Sequence, residues 1–314
     1  MNKLKRFAKL LCVSCLSVGM LFMGNYSTAS ADAVVENEDT SFDRYIAFGQ
    51  DLTASEKQKV LSSFGITQDD LSDYKTIEIT NKEEHDYLGD YIESSVIGKR
   101  ALSSVMVVKT EEGSGINVTT DNISYCTSGM YLNALVTAGL KDAEVKVAGP
   151  FNISGTSALV GAMKAYSVMT GEEISEETMD TATNELVATA ELADTIDDTE
   201  KAEELIAAVK QKIFSDGLTS STDIRDAVES SARSLGIDLS EEDVDSLVSL
   251  MEKISKEDID VDAIKEQAGE IYNKLKDAGI DLGNVDTDGL LDKVGDAFAK
   301  IFQAIVDFFK GLFG

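Results

Sequence analysis

Cysteine is scarce in this chain of 314 residues, which contains three. Cys12 and Cys15 lie in an N-terminal segment that we expect to be removed, and Cys126 is then left without a partner for an intramolecular disulfide. Cys15 also fails as a lipid-attachment site, because Cys12 stands three residues before it and the apolar run continues to Phe22. A disulfide-stabilised fold and a lipoprotein are therefore excluded, and stability has to come from a packed core.

Histidine, proline and tryptophan are almost absent, with His85, Pro150 and no tryptophan. A single imidazole excludes the zinc hydrolases that use paired histidines. A catalytic dyad of Cys126 and His85 is possible only in the sense that both residue types are present, because neither residue lies in a nucleophile signature. We interpret His85 as an exposed structural residue. The sequence therefore assigns no catalytic residue, no metal ligand and no cofactor.

Positive charge is also in short supply, with 28 Lys and Arg residues against 57 Asp and Glu residues. Lys3, Lys5, Arg6 and Lys9 belong to the N-terminal segment, so its removal leaves 24 against 57 and a net charge of −33. Nucleic acid is excluded as a partner, because its binding depends on basic residues that neutralise phosphates. We expect an acidic, solvated surface, and divalent-cation binding by acidic helices remains an alternative.

The first 31 residues have the organisation of a secretory signal peptide. A basic start is followed by an apolar run from Leu10 to Gly24, which is shorter than the roughly 20 residues that a membrane-spanning helix needs. Ala29 and Ala31 then provide a small-residue cleavage site. We predict a signal peptide over residues 1–31, cleavage before Asp32, and a secreted, extracellular protein associated with the cell envelope.

The periodicity of apolar residues predicts an α+β protein. A flexible acidic N-terminus is predicted over residues 32–41, an α/β domain with a small mixed sheet over 42–171, an all-helical domain over 172–284, and an amphipathic C-terminal helix over 285–314. The loop Thr110–Ser114 contains glycine and predicts a hairpin between its flanking strands. Strands are predicted at Tyr45–Phe48, Thr76–Ile79, Ser103–Lys109, Gly115–Thr120 and Glu144–Ala148.

Helix ends are predicted from capping residues and glycines. Thr53 with Glu56 forms a capping box, and Asn81 followed by Glu84 predicts the next helix start. A glycine followed by isoleucine is typical of a helix C-terminus, and this pair recurs at Gly65-Ile66, Gly236-Ile237 and Gly279-Ile280. Further N-caps are predicted at Ser175, Asp198, Thr222, Ser240 and Asp260.

The predicted C-terminal helix carries a broad aromatic and aliphatic stripe between Leu290 and Phe313. Docking onto the preceding helices, or a coiled-coil dimer, is the favoured interpretation. Weak contact with a membrane surface is the alternative, and it is disfavoured because acidic residues offset the basic ones that would make a cationic face. The acidic residues are Asp292, Asp296 and Asp307, and the basic residues that they offset are Lys293, Lys300 and Lys310.

Two segments, Gly49–Thr53 and Gly149–Thr156, each leave an apolar strand and enter a helix. Ligands commonly bind at such places, where free backbone N–H groups and the positive end of the helix dipole are available. Ser154–Ser157 is suited to an anion, and the alternative is that both segments are ordinary caps. The predicted ligand-binding residues are Asp51, Thr53, Asn152, Ser154, Gly155 and Thr156.

Four separated blocks carry a resemblance to a known family. They read YIAFGQDLT at 45–53, IGKRALSS at 97–104, MYLNALVTAG at 130–139 and VAGPFNISGT at 147–156. Together they resemble the YpuA-like family of secreted Gram-positive proteins, a domain of unknown function. The resemblance implies secretion and an envelope setting, and it transfers no catalytic residue.

Three functional hypotheses follow from the sequence. The leading one is a secreted, non-enzymatic envelope protein whose α/β domain binds a ligand or a partner, such as an envelope protein or polymer. The second is an envelope enzyme that acts on wall polymer or a small metabolite, with Asp51, Ser154 and Thr156 around one crevice. The third is divalent-cation binding by the acidic helices. The oligomeric state is not indicated by the sequence.

Overall fold

A computed structural model describes residues 43–257 and residue 259 of the chain. The predicted signal peptide with its cleavage site, the acidic segment 32–41 and the amphipathic C-terminal helix lie outside the described residues. The predicted N-cap Asp260 and the pair Gly279-Ile280 lie outside them as well.

The strands form one mixed, five-stranded sheet in the order β2-β1-β3-β5-β4. Pairing is parallel between β1 and β2 and between β4 and β5, whereas β3 runs antiparallel to both of its neighbours. The α+β class predicted from the sequence is confirmed. The strands are β1 (Arg44–Gly49), β2 (Lys75–Ile79), β3 (Ser104–Lys109), β4 (Ile116–Ile123) and β5 (Ala143–Ile153).

The predicted hairpin between β3 and β4 is wrong, because β5 lies between these two strands. Val145 of β5 faces Val107 of β3 on one side and Val118 of β4 on the other. β5 is buried along most of its length and therefore suits an interior position. β4 is mostly exposed and therefore suits its position as an outermost strand of the sheet. The glycine-containing loop predicted a turn correctly, but a turn alone does not determine which strands pair.

Nine α-helices and one short 3-10 helix, Asp69–Asp73, accompany the sheet in the described residues. No strand follows α5 in that part of the chain. The helices are α1 (Ala54–Phe64), α2 (Asn81–Leu88), α3 (Ser94–Ile97), α4 (Ser128–Thr137), α5 (Thr156–Thr170), α6 (Glu176–Ile196), α7 (Thr199–Asp216), α8 (Ser221–Ser234) and α9 (Glu241–Ile254).

Most predicted helix starts are confirmed, and two are displaced. The capping box of Thr53 and Glu56 is present at α1. α2 is capped one residue earlier than predicted, by Thr80, whose hydroxyl accepts the Glu83 N–H. α8 is capped by Ser220 and not by Thr222. In both displaced cases a hydroxyl residue accepts the backbone N–H of an acidic residue three positions later, and at α2 the two residues form a capping box. The predicted caps Ser175, Asp198 and Ser240 are confirmed.

The two glycine-isoleucine pairs within the described residues end helices as predicted. Gly65 adopts a φ of 78°, and the Ile66 N–H donates to the carbonyl of Leu61. Gly236 adopts a φ of 65°, and the Ile237 N–H donates back to Ala232 in the same way. A six-to-one hydrogen bond of this kind is the mark of a Schellman motif.

Helices cover both faces of the sheet. On one face α1 packs against a small cluster that includes Ile46, Phe48 and Met106. On the other face α5 crosses the strands closely, since a Cβ on Gly161 would lie 3.0 Å from Cβ of Ala47. The large core continues from α5 and α4 into α6–α9, so the sheet and the helices share one apolar interior. None of the described helices is both long and apolar enough to cross a bilayer.

Candidate functional site

The carboxyl ends of four strands meet at one edge of the sheet. β1 and β5 both run antiparallel to β3 and therefore run in the same direction, which their parallel partners β2 and β4 share. The segments 49–53 and 149–156 consequently lie along this same edge, together with the start of β3. Edges of this kind are where α/β proteins commonly bind ligands. Residues 149–153 belong to the end of β5 and only the last part of that segment is a loop.

A concave site of about 370 Å³, which we call the edge crevice, lies at this edge. Its volume is near the lower end of the range of small-molecule pockets. The apolar lining consists of Val96, Ile97, Leu102, Phe151 and Ile153. The polar lining consists of Glu84, Lys99, Arg100, Ser103, Ser154 and Ser157, with the backbone of Gly98.

Glu84 is the buried acidic group of the edge crevice, with an exposed fraction of 1%. The Thr156 hydroxyl donates to its Oε1 at 2.7 Å, and the Asn81 amide donates to its Oε2 at 3.2 Å. Burial raises the pKa of Glu84, these two hydrogen bonds act in the opposite direction, and the charge of Asp51 raises the pKa further. A carboxyl group with a perturbed pKa in a cleft is a candidate functional group.

The sequence reasoning missed Glu84 as a site residue. A glutamate in a polar helix usually faces solvent. A signal was nevertheless present, because Glu84 stands four residues before the buried Leu88 and so occupies the apolar face of α2. An acidic residue on the apolar stripe of a helix indicates either a buried partner or a site.

Asp51, a predicted ligand-binding residue, positions one wall of the edge crevice. Its Oδ2 accepts the Ala101 N–H at 2.8 Å, and its own N–H donates to the Ala101 carbonyl at 3.1 Å. Arg100 donates to the Asp51 carbonyl and to Glu56, each at 2.8 Å. The loop that precedes β3 is therefore clamped to the end of β1.

The start of α5 brings Ser154 and Thr156 together, with 3.2 Å between the two hydroxyl oxygens. The cap of α5 comes from a residue that the sequence did not indicate. Ser103 Oγ accepts the Ala158 N–H at 3.0 Å and lies 2.6 Å from Ser157 Oγ. The hydroxyls of Thr156 and Ser157 are therefore engaged by Glu84 and by Ser103, so neither hydroxyl is free for an external anion.

Gly155, Thr53 and Asn152 are the remaining predicted ligand-binding residues. Gly155 precedes α5 with a φ of 99° and accepts a hydrogen bond from Tyr131 Oη at 2.5 Å. Thr53 caps α1, and Asn152 is exposed at the end of β5. Neither Thr53 nor Asn152 is among the residues that line the edge crevice. The ligand-binding role of the six residues stays a prediction.

Cys126 is unsuited to act as a nucleophile. Its side chain is buried, and desolvation raises the pKa of the thiol to about 12, so the reactive thiolate is not formed at neutral pH. His85 Nε2 lies 3.0 Å from the carbonyl oxygen of Gly98 and is occupied there. These environments give no support to a dyad of the two residues.

Two further features bear on the cation hypothesis. Within residues 43–257, no group of three or more His, Cys, Asp or Glu side chains has the arrangement to hold a metal ion. A second cavity, of about 520 Å³, has Glu172, Glu173 and Glu257 in its lining together with Lys141. Glu257 is already engaged there, because it accepts hydrogen bonds from Thr178 and Thr181. The edge crevice is therefore the better candidate for a site.

Comparison with known proteins agrees with the resemblance seen in the four sequence blocks. Residues 48–271 match a family described as a protein of unknown function, DUF1002. An uncharacterized protein YpuA of Bacillus subtilis (strain 168) is 40% identical to this chain over 304 residues, which cover 96% of this chain and 100% of the relative. No solved structure matches. All residues of the edge crevice lie inside the matched range.

Proposed function

Because the chain belongs to the DUF1002 family of proteins of unknown function, we propose its function from the site itself. The protein is a non-enzymatic binding protein of the cell envelope, and its edge crevice holds a ligand, or a segment of a partner, with an apolar body. The observation that carries this proposal is a concave, mainly apolar site at the carboxyl edge of the strands, with Phe151 at its wall.

Phe151 is the strongest single argument for binding. Its side chain is 46% exposed although it adjoins Leu102 and Ile153 in the same lining. An exposed aromatic ring beside a concave apolar surface is costly in water and is typical of a binding site. A ligand that covers this ring removes apolar surface from water, which is the main driving force for such association.

The walls of the edge crevice are fixed before any ligand arrives. The hydrogen bonds between Asp51 and Ala101 hold one wall, and those between Ser103 and the start of α5 hold the other. A preorganised site loses little conformational entropy on binding. This rigidity supports a role in which the site is filled without a large rearrangement.

The enzyme hypothesis retains one observation in its favour, the hydrogen-bonded series from Ser154 through Thr156 to Glu84. A carboxyl with a raised pKa is able to serve as a general base or acid. Against it, Thr156 is not among the residues that line the edge crevice. Binding therefore has the stronger support.

The envelope setting rests on the predicted signal peptide. If residues 1–31 direct export, protein recovered from the cell wall or medium should begin with Asp32. N-terminal sequencing of that material is the test. Full-length protein found only in the cytosol would contradict the proposed location and would leave the binding proposal to be judged separately.

The binding proposal is tested with the dye ANS, whose fluorescence rises on apolar surfaces. Phe151→Ala should weaken dye binding several-fold, whereas Val168→Ala should leave it unchanged. Val168→Ala is the matched control, because Phe151 and Val168 are 46% and 45% exposed and Val168 is not part of the edge crevice. Equal dye binding by wild type and Phe151→Ala would refute a ligand site at this place.

A further inference from the structure

Among the described residues, Glu84 and Glu185 are glutamates that are almost fully buried, and their partners differ. Glu185 is 0% exposed and has a cation, Lys210, whose Nζ lies 2.7 Å from its Oε1. Glu84 is 1% exposed and receives only the neutral donors Thr156 and Asn81. An ionised carboxylate without a cation is costly to bury. Glu185 therefore has its counter-charge within the fold, whereas Glu84 has only neutral hydrogen-bond donors.

His85 is the one basic group whose charge acts on Glu84 among the described residues, and its Nε2 lies 3.0 Å from the Gly98 carbonyl oxygen. Arg100 lines the edge crevice, but its guanidinium donates to Glu56 and to the Asp51 carbonyl. Lys164 pairs with Glu83 at 2.6 Å. Within residues 43–257 no Lys or Arg forms an ion pair with Glu84, although Glu84 is one of the residues that line the edge crevice.

We propose that the missing cation is supplied by the ligand: the edge crevice binds a molecule that carries a primary ammonium group on an apolar body. The ammonium pairs with the Glu84 carboxylate, and the body packs against Phe151 and Leu102. This inference rests on the proposed binding function and adds the chemical class of the ligand. No bond is made or broken in the step.

The charged side chains that line the edge crevice are of both signs, because Lys99 and Arg100 line it together with Glu84. The charge of His85 lowers the pKa of Glu84, and the smaller effect of the Asp51 charge raises it. The hydroxyl of Thr156 and the amide of Asn81 orient the carboxylate, and each of its oxygens can accept a further hydrogen bond. Lys99 lies in the same lining, forms no ion pair in the described part of the chain, and favours the opposite class, an anionic ligand.

Three probes with the same apolar body separate these classes: phenylbutylamine, phenylbutanol and phenylbutanoate. Binding of each to the full protein is measured by calorimetry at neutral pH. We expect the amine to bind about tenfold more tightly than the alcohol, which corresponds to one charge-assisted hydrogen bond, and the acid to bind most weakly. This comparison uses the wild type alone and so does not depend on any variant.

The variant Glu84→Gln then tests the residue. Glutamine keeps the acceptor for Thr156, so we expect the fold to be retained, the amine affinity to fall to that of the alcohol, and the alcohol affinity to stay constant. Glu78→Gln is the matched control, since Glu78 is an exposed glutamate in β2 outside the edge crevice. It should leave all three affinities unchanged.

The possible outcomes distinguish failure of the ammonium inference from failure of the proposed binding function. If phenylbutanoate binds most tightly, Lys99 is the residue that recognises the ligand. The ammonium class of ligand is then wrong, although a binding site remains. Equal binding of the three probes, unaffected by Glu84→Gln, would reduce the site to an apolar one and also overturn it. If no probe binds and the dye does not distinguish Phe151→Ala from wild type, both the inference and the proposed function fail.

Discussion

Lys210 Nζ lies 2.7 Å from Glu185 Oε1 at a point where neither side chain is exposed. The ammonium also donates to the carbonyl of Asn133 at 2.8 Å and to the Thr137 hydroxyl at 3.1 Å. This cluster joins α7 and α6 to α4, the helix that packs against β4. Burial raises the pKa of Glu185 and lowers that of Lys210, and the attraction between the two groups acts against both shifts. The pair thereby fixes the position of the later helices on the sheet layer.

Lys210→Met should therefore destabilise the protein by about 3–5 kcal/mol, because it leaves the Glu185 carboxylate buried without a cation. The double variant Lys210→Met with Glu185→Leu should recover most of that loss, since no charge is then buried. Urea unfolding of the single and double variants gives the coupling. If the double variant is as unstable as the sum of the two single variants, the pair does not act as a unit.

Gly155 is a structural requirement of the loop before α5. Its φ is 99°, and a Cβ there would lie 2.6 Å from Tyr131 Oη and 2.7 Å from Cγ2 of Ile123. Gly155→Ala should cost more than about 2 kcal/mol, from backbone strain and overlap together. Gly217→Ala is the control, because its φ is 63° and nothing lies within 4 Å, so only the strain of about 1 kcal/mol remains. Equal losses in thermal unfolding would contradict the steric explanation.

The features that were predicted correctly from the sequence are those that depend on residues close together in the chain. The box of Thr53 and Glu56 and the stop at Gly65 are decided within one helical turn, so these features could be identified from local spacing alone. The pairing of β3 with β5 depends instead on segments far apart in the chain. The same applies to Ser103, which caps α5 from the start of another strand and carries no local signal.

The site was predictable only in part for the same reason. Ser154 and Thr156 could be placed near a sheet edge because they follow a strand and precede a helix. The burial of Glu84 is decided by Thr156, which lies 72 residues further along the chain. No reading of the polar helix around Glu84 reveals that contact, and the stripe shared with Leu88 is the one local indication.

Glu56 should give the fold part of its resistance to acid. The hydrogen bond from the Thr53 backbone, followed by that from Arg100, lowers the pKa of Glu56 from 4.5 to about 2. A folded-state pKa below the unfolded value means that the stabilisation is complete above pH 4.5 and is lost as the pH falls towards 2. Glu56→Gln should lose this dependence. The difference in unfolding midpoint between wild type and variant, measured across that range, should shrink as acid is added.

Glu84 should have the opposite pH dependence. Its folded-state pKa is raised above 4.5, so its favourable contribution is complete below pH 4.5 and is lost as the pH rises through the folded value. Glu84→Gln should therefore equal the wild type in acid and exceed it in stability at neutral pH. Asp51 and His85 also act on Glu84, and Cys126 and Tyr131 face it with raised pKa values. Comparing the variant with the wild type at each pH cancels the titration of these neighbours.

Phenylbutylamine should reverse that stability difference. The amine binds the ionised carboxylate, so it lowers the pKa of Glu84, and its affinity should rise with pH from 4.5 to a plateau above the folded value. At neutral pH a saturating amine should raise the unfolding midpoint of the wild type and leave that of Glu84→Gln unchanged. Phenylbutanol should stabilise both proteins equally and without dependence on pH. An amine effect that is the same in both proteins would show that the counter-charge of Glu84 does not come from the ligand.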